Sequence, residues 1–413
     1  MAGESSPGVA AEDQGKSLGP TSRGTLLGAI FLMATSSIGP GFITQTANFT
    51  VELGAAFAFA ILISILVDIA IQTNVWRVIG VSGMRAQELG NATLPGLGYL
   101  MAGLLLAGGL VFNIGNVSGA GLGVNIMTDL DAEIGAVILS VVAVGIFLSK
   151  RAGVAMDRIV VLLGAVMILL TLYVALTSGP PVGDALKNTV VPDEFSALAI
   201  TTLIGGTIGG YIIYAGAHRL IDAGVTGQER VGELNRSAIT GIVVTGVMRV
   251  VLFLAILGVV SSGTALDPDS QAASAFQAAA GDVGYRMFGV VFSAAALTSV
   301  IGVSYTTITF LTSRRTPPRT TNLLVVGFIV VSVALFLIIG AAPAQLLVFA
   351  GAFNGILLPV GIGVMMWVAW RRRDLLHGYH YPKWLAGIGT AAWLVTIYLA
   401  FNSIRPAIEL VTG

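Results

Sequence analysis

Long apolar blocks separated by short polar connections fill the chain from residue 25 onward. They fall at 25–48, 54–79, 96–127, 133–149, 159–177, 196–218, 237–261, 284–312, 322–342, 345–370 and 384–402. Each is close to the ~20 apolar residues that a helix needs to cross hydrocarbon. None shows the short alternating segments of a membrane β-barrel. The pattern predicts an all-α polytopic membrane protein with about 11 transmembrane helices. The third and eighth blocks exceed what a bilayer requires and are expected to tilt or to extend past it. Residues 1–22 are polar and rich in Pro, Gly and Ser, as in a disordered tail. They lack the basic-then-apolar order of a cleaved signal peptide.

The charges test this division independently. With the N-terminus in the cytoplasm, 17 of the 21 Lys and Arg residues fall on cytoplasmic flanks. Lys187, Arg286 and Arg405 lie outside, and Arg249 falls within the seventh block. So lopsided a split obeys the positive-inside rule, and one missed helix would scramble it. The outer loops carry acids instead: Asp129, Asp131, Glu133, Asp193, Glu194, Asp267 and Asp269. The same topology leaves the C-terminus outside the cell, and the expected location is a bacterial inner (plasma) membrane.

Composition narrows the chemistry. Of 413 residues 55% are hydrophobic and 10% charged, against about 25% charged in soluble domains. The mean hydropathy is +0.90. A net charge of zero offers no basic field for a nucleic acid. Cysteine is absent, which removes disulfides and thiolate metal sites. The three histidines, His218, His377 and His380, make zinc enzymology a poor fit. No nucleotide-binding motif occurs, so nothing points to ATP as the drive. No enzyme activity, no cofactor and no nucleic-acid partner are expected; the bilayer is the expected partner, and a monomer is expected to suffice.

Two blocks carry matching interruptions. Gly39-Pro40-Gly41 breaks the first, inside SSIGPGFITQT. Gly205-Gly206 and Gly209-Gly210 break the sixth, inside LIGGTIGGYIIY. These are the first members of two sets of five, and odd-numbered repeats must be inverted relative to each other. Paired breaks in corresponding helices point to a transport site at the midplane, where unwound backbone frees carbonyls for a cation. The plainer alternative is that the glycines only permit close helix packing.

On these residues the chain resembles the natural resistance-associated macrophage protein (Nramp) family of divalent-metal transporters. The resemblance implies two inverted five-helix repeats (the LeuT/APC-like fold) plus one extra helix, and uptake of Mn²⁺ or Fe²⁺ coupled to protons. It divides the chain into a tail (1–22), a first repeat (23–180), an inverted repeat (181–372) and an eleventh helix with its tail (373–413). Typical members carry DPGN in the first helix and MPH in the sixth. Here Gly39 stands at the Asp position and Phe42 at the Asn position. In Gly206-Thr207-Ile208-Gly209-Gly210-Tyr211, Gly209 replaces the Met ligand and Tyr211 the His. Asn113 and Asn116 stand where the family has acids of the proton pathway.

These departures share a direction. A thioether favours transition metals over hard ions, and its loss removes that preference. Mg²⁺ dehydrates reluctantly and suits a wider site lined by oxygen. Asn and Tyr do not carry protons near neutral pH. The pattern is similar to the bacterial Nramp-related magnesium transporters. It implies proton-uncoupled transport of Mg²⁺, and of Mn²⁺ too, at a site drawn from Gly39, Phe42, Gly206, Gly209, Tyr211 and Asn354. Thr44, Gln45 and Thr46 are candidate pathway-lining residues with Asn113 and Asn116.

Asp68 and Arg249 sit mid-membrane, and their simplest joint reading is a structural ion pair. An unpaired Arg249 facing the cavity would instead favour a permease of the same fold for a small organic anion or amino acid, held at the helix N-termini of the breaks. A receptor or scaffold is a third reading with little support. Asn354 offers either an interhelical hydrogen bond or an indirect ligand. His218 reads as a solvated helix end, and Trp76, Trp367, Trp370 and Trp384 as interfacial belt residues.

Overall fold

A computed structural model of the chain describes residues 38–210, 212–222, 224–312 and 316–412. The N-terminal tail, the first half of the first predicted span and Tyr211 therefore lie outside the described residues. The chain runs through α1 (Pro40–Leu53), α2 (Phe57–Ser82), α3 (Ala86–Thr93), α4 (Leu97–Thr128), α5 (Ala132–Leu148), α6 (Lys150–Thr177) and α7 (Val182–Val190). It continues through α8 (Ala197–Ile208), α9 (Ile212–Asp222), α10 (Val231–Ser261), α11 (Gln271–Leu311), α12 (Pro318–Ile339), α13 (Pro343–Arg371) and α14 (Lys383–Thr412).

Each predicted block from the second onward falls on a helix or a bent helix pair, and the described part of the first falls on α1. Among the described residues seven helical runs are long and apolar enough to cross by themselves, and two bent pairs bring the number to 9. The 43-residue run Pro40–Ser82 counts once among these and contains α1, the 3-10 turn Gly54–Ala56 and α2. The 17-residue α5 is a shorter apolar helix, at the short end of what spans a bilayer. Local signals set the ends. Asp131 caps α5 by accepting from the amides of Glu133 (2.8 Å) and Ile134 (3.4 Å). Ser196 caps α8 through the amide of Ala199 (3.1 Å). α11 begins upstream of the eighth block and kinks at Gly281, whose φ of 64° and ψ of −165° no β-carbon would tolerate well.

The crossings alternate between two ends of the bundle. At the Arg-rich end, Ala86 N–H donates to His218 Nε2 (3.2 Å) and Arg372 Nη1 to the carbonyl of Ala92 (2.7 Å). At the other end, Arg286 bridges α11 to the carboxylate of Asp129 at 2.7 Å. That hydrogen bond holds the Asp129 carboxyl below the usual carboxylate range. Because α1 leaves the Arg-rich end and α8 approaches it, the leading helices of the two five-helix sets run in opposite directions.

Glycine brings the helices together. A β-carbon on Gly119 of α4 would meet the ring of Pro40 at 2.8 Å, and one on Gly123 would strike Ser293 of α11. On α8, a β-carbon at Gly205 would strike the backbone carbonyl of Gly351 and the amide of Gly355 on α13. Lipid tails give helices no hydrophobic reason to associate, so close backbone approach supplies dispersion instead. Two expectations are corrected by this packing. Trp76 is no belt residue: it is fully buried and donates to the carbonyl of Ile213 at 2.8 Å. His218 is no solvated helix end: it is buried between Tyr214 and Phe310, with centroids 6.2 and 5.4 Å away. Trp367, Trp370 and Trp384 are exposed, as lipid-facing rings at a helix end must be.

Gly205→Ala is expected to cost about 1–3 kcal/mol, because both groups it meets are backbone and cannot swing aside. Gly103→Ala on α4, where a β-carbon meets nothing within 4 Å, is the control. Melting of the two variants in detergent should show a lower midpoint for the first and none for the second; equal midpoints would refute the packing argument.

Candidate functional site

Two interruptions face each other in the interior. At the first, Gly39 is extended (φ −101°, ψ −173°) and caps α1 with no side-chain acceptor, while Pro40 opens the helix without an N–H to satisfy. A β-carbon on Gly39 would lie 2.9 Å from the Ser299 hydroxyl. At the second, α8 stops at Ile208, Gly209 is extended (φ −68°, ψ 157°), and Gly210 takes a φ of +55°. Tyr211 lies outside the described residues, and α9 resumes at Ile212.

The glycines do not leave empty space. Gln45 projects from α1 into the slot that Gly206 and Gly351 provide, where a β-carbon on either would collide with its amide. Gln45 Nε2 donates to the carbonyl of Leu347 at 3.0 Å. Since a carbonyl only accepts, the amide is oriented, and Oε1 is turned the other way, toward Gly206, with no donor. Asn354 repeats the arrangement from α13. Its Nδ2 donates to the carbonyls of Gly108 (3.0 Å) and Ala350 (2.9 Å), so Oδ1 faces Gly210 without a donor. Both residues are fully buried. Two neutral carbonyl oxygens thus lie unpaired along the interrupted helix, and an unpaired buried acceptor needs an ion, a water or a ligand donor.

Other predicted residues separate from this centre. The Thr46 hydroxyl donates to the carbonyl of Phe42 (2.7 Å) within its own helix. Thr44 lines a cavity of about 280 Å³ with Asp269, Ser270 and Gln271, toward the acidic end. Asn113 cross-links three helices, donating to Ser304 (3.2 Å) and Ser332 (2.9 Å). Asn116 is fully buried with both amide atoms unpaired. Toward the Arg-rich end, a cavity of about 370 Å³ lined by Gly210, Tyr214, Met101 and Gly361 is flanked by the stacked Tyr214, His218 and Phe310.

The expected ion pair is not closed. No nitrogen of Arg249 comes within 4.0 Å of an Asp68 oxygen, although each group lies in the other's Coulomb field. Arg249 instead lays its guanidinium over the Phe42 ring, 4.3 Å from the centroid, and donates from Nη1 to Thr207 Oγ1 at 3.0 Å. Its Nε and Nη2 have no acceptor, and the residue is 2% exposed. Phe42 occupies the first turn of α1, and its ring offers the cation a π-face. Asp68 lies instead on a buried polar stripe of α2, with Ser64 and Gln72 at four-residue spacing. Gln72 and Thr207 went unnoticed in the sequence, although the i, i+4 recurrence of polar residues in an apolar helix was a usable signal for the first.

No group of three or more His, Cys, Asp or Glu able to hold a metal occurs among the described residues. The interrupted helices, the oriented buried amides and the inverted topology together define a membrane transporter, not an enzyme. The profile described as natural resistance-associated macrophage protein-like matches residues 30–405, and the chain belongs to this Nramp family. It is 51% identical to the membrane protein YcsG of Bacillus subtilis over 380 residues, 92% of this chain and 93% of that one. It is 47% identical to a membrane protein of Haemophilus influenzae over 392 residues, covering 95% and 98% of the two. A manganese transporter of Eremococcus coleocola superposes with a TM-score of 0.75 at 18% identity, covering 96% of this chain and 90% of that one. MhsT in complex with L-phenylalanine gives a TM-score of 0.61 at 16% identity, covering 93% and 98%. At such identities the structural likeness establishes the shared LeuT-like fold.

The two glycines of the sixth-span motif should respond differently to substitution. A β-carbon on Gly209 would strike the backbone of Gly205, so Gly209→Met is expected to lose folded protein, by about 1–3 kcal/mol. At Gly206 the obstacle is the end of the Gln45 side chain, which can swing, so Gly206→Ala should fold. Size-exclusion profiles and melting midpoints check the contrast; a well-folded Gly209→Met would contradict it.

Proposed function

We propose that the chain carries divalent metal cations across a bacterial plasma membrane, Mg²⁺ foremost and Mn²⁺ as well, without moving protons. The observation that carries this reading is the pair of unpaired amide oxygens, Gln45 Oε1 and Asn354 Oδ1, at the interrupted sixth span. Neutral oxygens without carboxylate or sulfur suit a hard ion that keeps much of its water shell. Gly39 and Gly209 supply no side-chain ligand. Phe42 serves as a wall under Arg249 rather than as a ligand. Family membership supports a divalent metal as cargo, as does the likeness to the manganese transporter of Eremococcus coleocola.

Proton coupling is assigned no carrier. Asn113 and Asn116 do not titrate near neutral pH, and Asn113 is held as a donor to two serines. The repeats are assigned to 23–180 and 181–372, with 373–413 appended and the N-terminus in the cytoplasm. One observation favours a second reading, a permease for a small organic anion or an amino acid: the unpaired Nε and Nη2 of Arg249 beside the first break. The fold itself is compatible with such cargo, since MhsT, which shares it, forms a complex with L-phenylalanine.

Purified protein in liposomes should move Mg²⁺ and Mn²⁺ down their gradients without acidifying the lumen. A metal-dependent proton flux above that of empty vesicles would refute uncoupled transport, and no metal flux at all would leave the second reading standing. Sidedness is checked in cells, since the chain contains no cysteine to obscure single introduced thiols. Thr264→Cys should react with an impermeant maleimide from outside and Glu229→Cys only after permeabilisation; the reverse result would invert the topology.

A further inference from the structure

Arg249 is the one feature that a plain cation site does not explain. Its charge lies within the core, 2% exposed, on the ring of Phe42 in the first turn of α1. Two of its donors, Nε and Nη2, are buried without an acceptor. These donors form one edge of the guanidinium, the edge geometry that a carboxylate fills with two parallel hydrogen bonds. Nη1 is already held by Thr207, so the group is oriented and only that edge is free. Asp68 does not take it, because no oxygen of Asp68 lies within 4.0 Å of Arg249.

The unpaired donors of Arg249 and the unpaired oxygen of Gln45 belong to side chains that meet the same end of α8. Arg249 is bonded to Thr207, and Gln45 Oε1 faces the adjacent residue, Gly206, of the same helix end. On α1 their neighbours Phe42 and Gln45 are three residues apart and so share a helix face. A divalent ion placed against Gln45 would feel the guanidinium at close range in a medium of low dielectric, and the two would repel. An anion between them removes the repulsion and satisfies both sets of orphaned groups. The free N-terminal amides of α1, opened by Gly39 and Pro40, favour negative charge at the same place.

We propose that Arg249 binds the carboxylate of a small organic acid within the transport site, so that the metal ion travels with an organic anion. This rests on the cation reading above for the metal, and on Arg249 alone for the anion. The cargo class is a small carboxylate able to contact a divalent ion and a guanidinium at once, such as a dicarboxylate.

The experiment follows Mn²⁺ uptake into liposomes at matched free Mn²⁺ and ionic strength, with succinate or methanesulfonate as the anion. Succinate should raise the uptake severalfold and should raise the melting midpoint of the purified protein. Arg249→Gln should weaken the succinate effect about tenfold or more, the equivalent of losing one charge-assisted hydrogen bond. Arg249→Lys, which keeps the charge but not the two-pronged edge, serves where the first variant folds poorly and should retain a reduced response. Mn²⁺ uptake indifferent to succinate, with no shift in the parent protein's midpoint, would overturn the inference while leaving metal transport intact. Succinate uptake that depends on Arg249 but needs no metal would overturn joint travel together with the cation reading and leave the anion permease in their place.

Discussion

A guanidinium held out of water at the meeting of two interrupted helices sets the terms for the surrounding structure. A full charge in a dry interior is tolerated only with nearby compensation. Here that comes in three parts: a π-face from Phe42, one hydroxyl from Thr207, and the field of an Asp68 that does not touch it. Each partner is on a different helix, so Arg249 ties α1, α8 and α2 to α10. It also fixes the first turn of α1 against the end of α8.

The backbone imposes the second condition. Hydrocarbon cannot satisfy an interrupted helix, so both breaks must be enclosed by protein. Glycine makes the enclosure tight enough: Gly205 against Gly351 and Gly355, Gly206 and Gly351 against Gln45, Gly210 against Asn354. The two amides then use their N–H groups to bind neighbouring carbonyls, and their oxygens are left over. The polar lining of the site is in this sense a remainder, made of what packing does not consume.

Much of the architecture was legible in the sequence, because spans are long-range averages over twenty residues and the charge asymmetry checks their number. The breaks were legible too, since Gly39-Pro40-Gly41 and Gly209-Gly210 interrupt apolar runs that nothing else would interrupt. What failed were inferences about reach. Asp68 and Arg249 both fall mid-span, and depth suggested contact, but the guanidinium stacks on the Phe42 ring instead. Trp76 and His218 lie at interfacial depth and are nevertheless buried, Trp76 on Ile213 and His218 between two aromatic rings. Hydropathy reports depth along the membrane normal; it does not report which way a side chain turns. Gly209 illustrates the same limit, for a missing side chain suggested an opening that the backbone of Gly205 in fact fills.

The central claim is that the Arg249 charge is compensated across a gap and not by contact, which leaves its free edge for a ligand. A double-mutant cycle with Asp68→Asn and Arg249→Gln, read by unfolding in detergent, tests it most directly. Compensation through the field alone predicts a coupling of about 1–2 kcal/mol, in line with unit charges ~8–16 Å apart at an effective dielectric of ~20. A coupling of about 3–5 kcal/mol, with each single variant unfolding and the double restored, is the signature of a closed buried pair and would contradict the account.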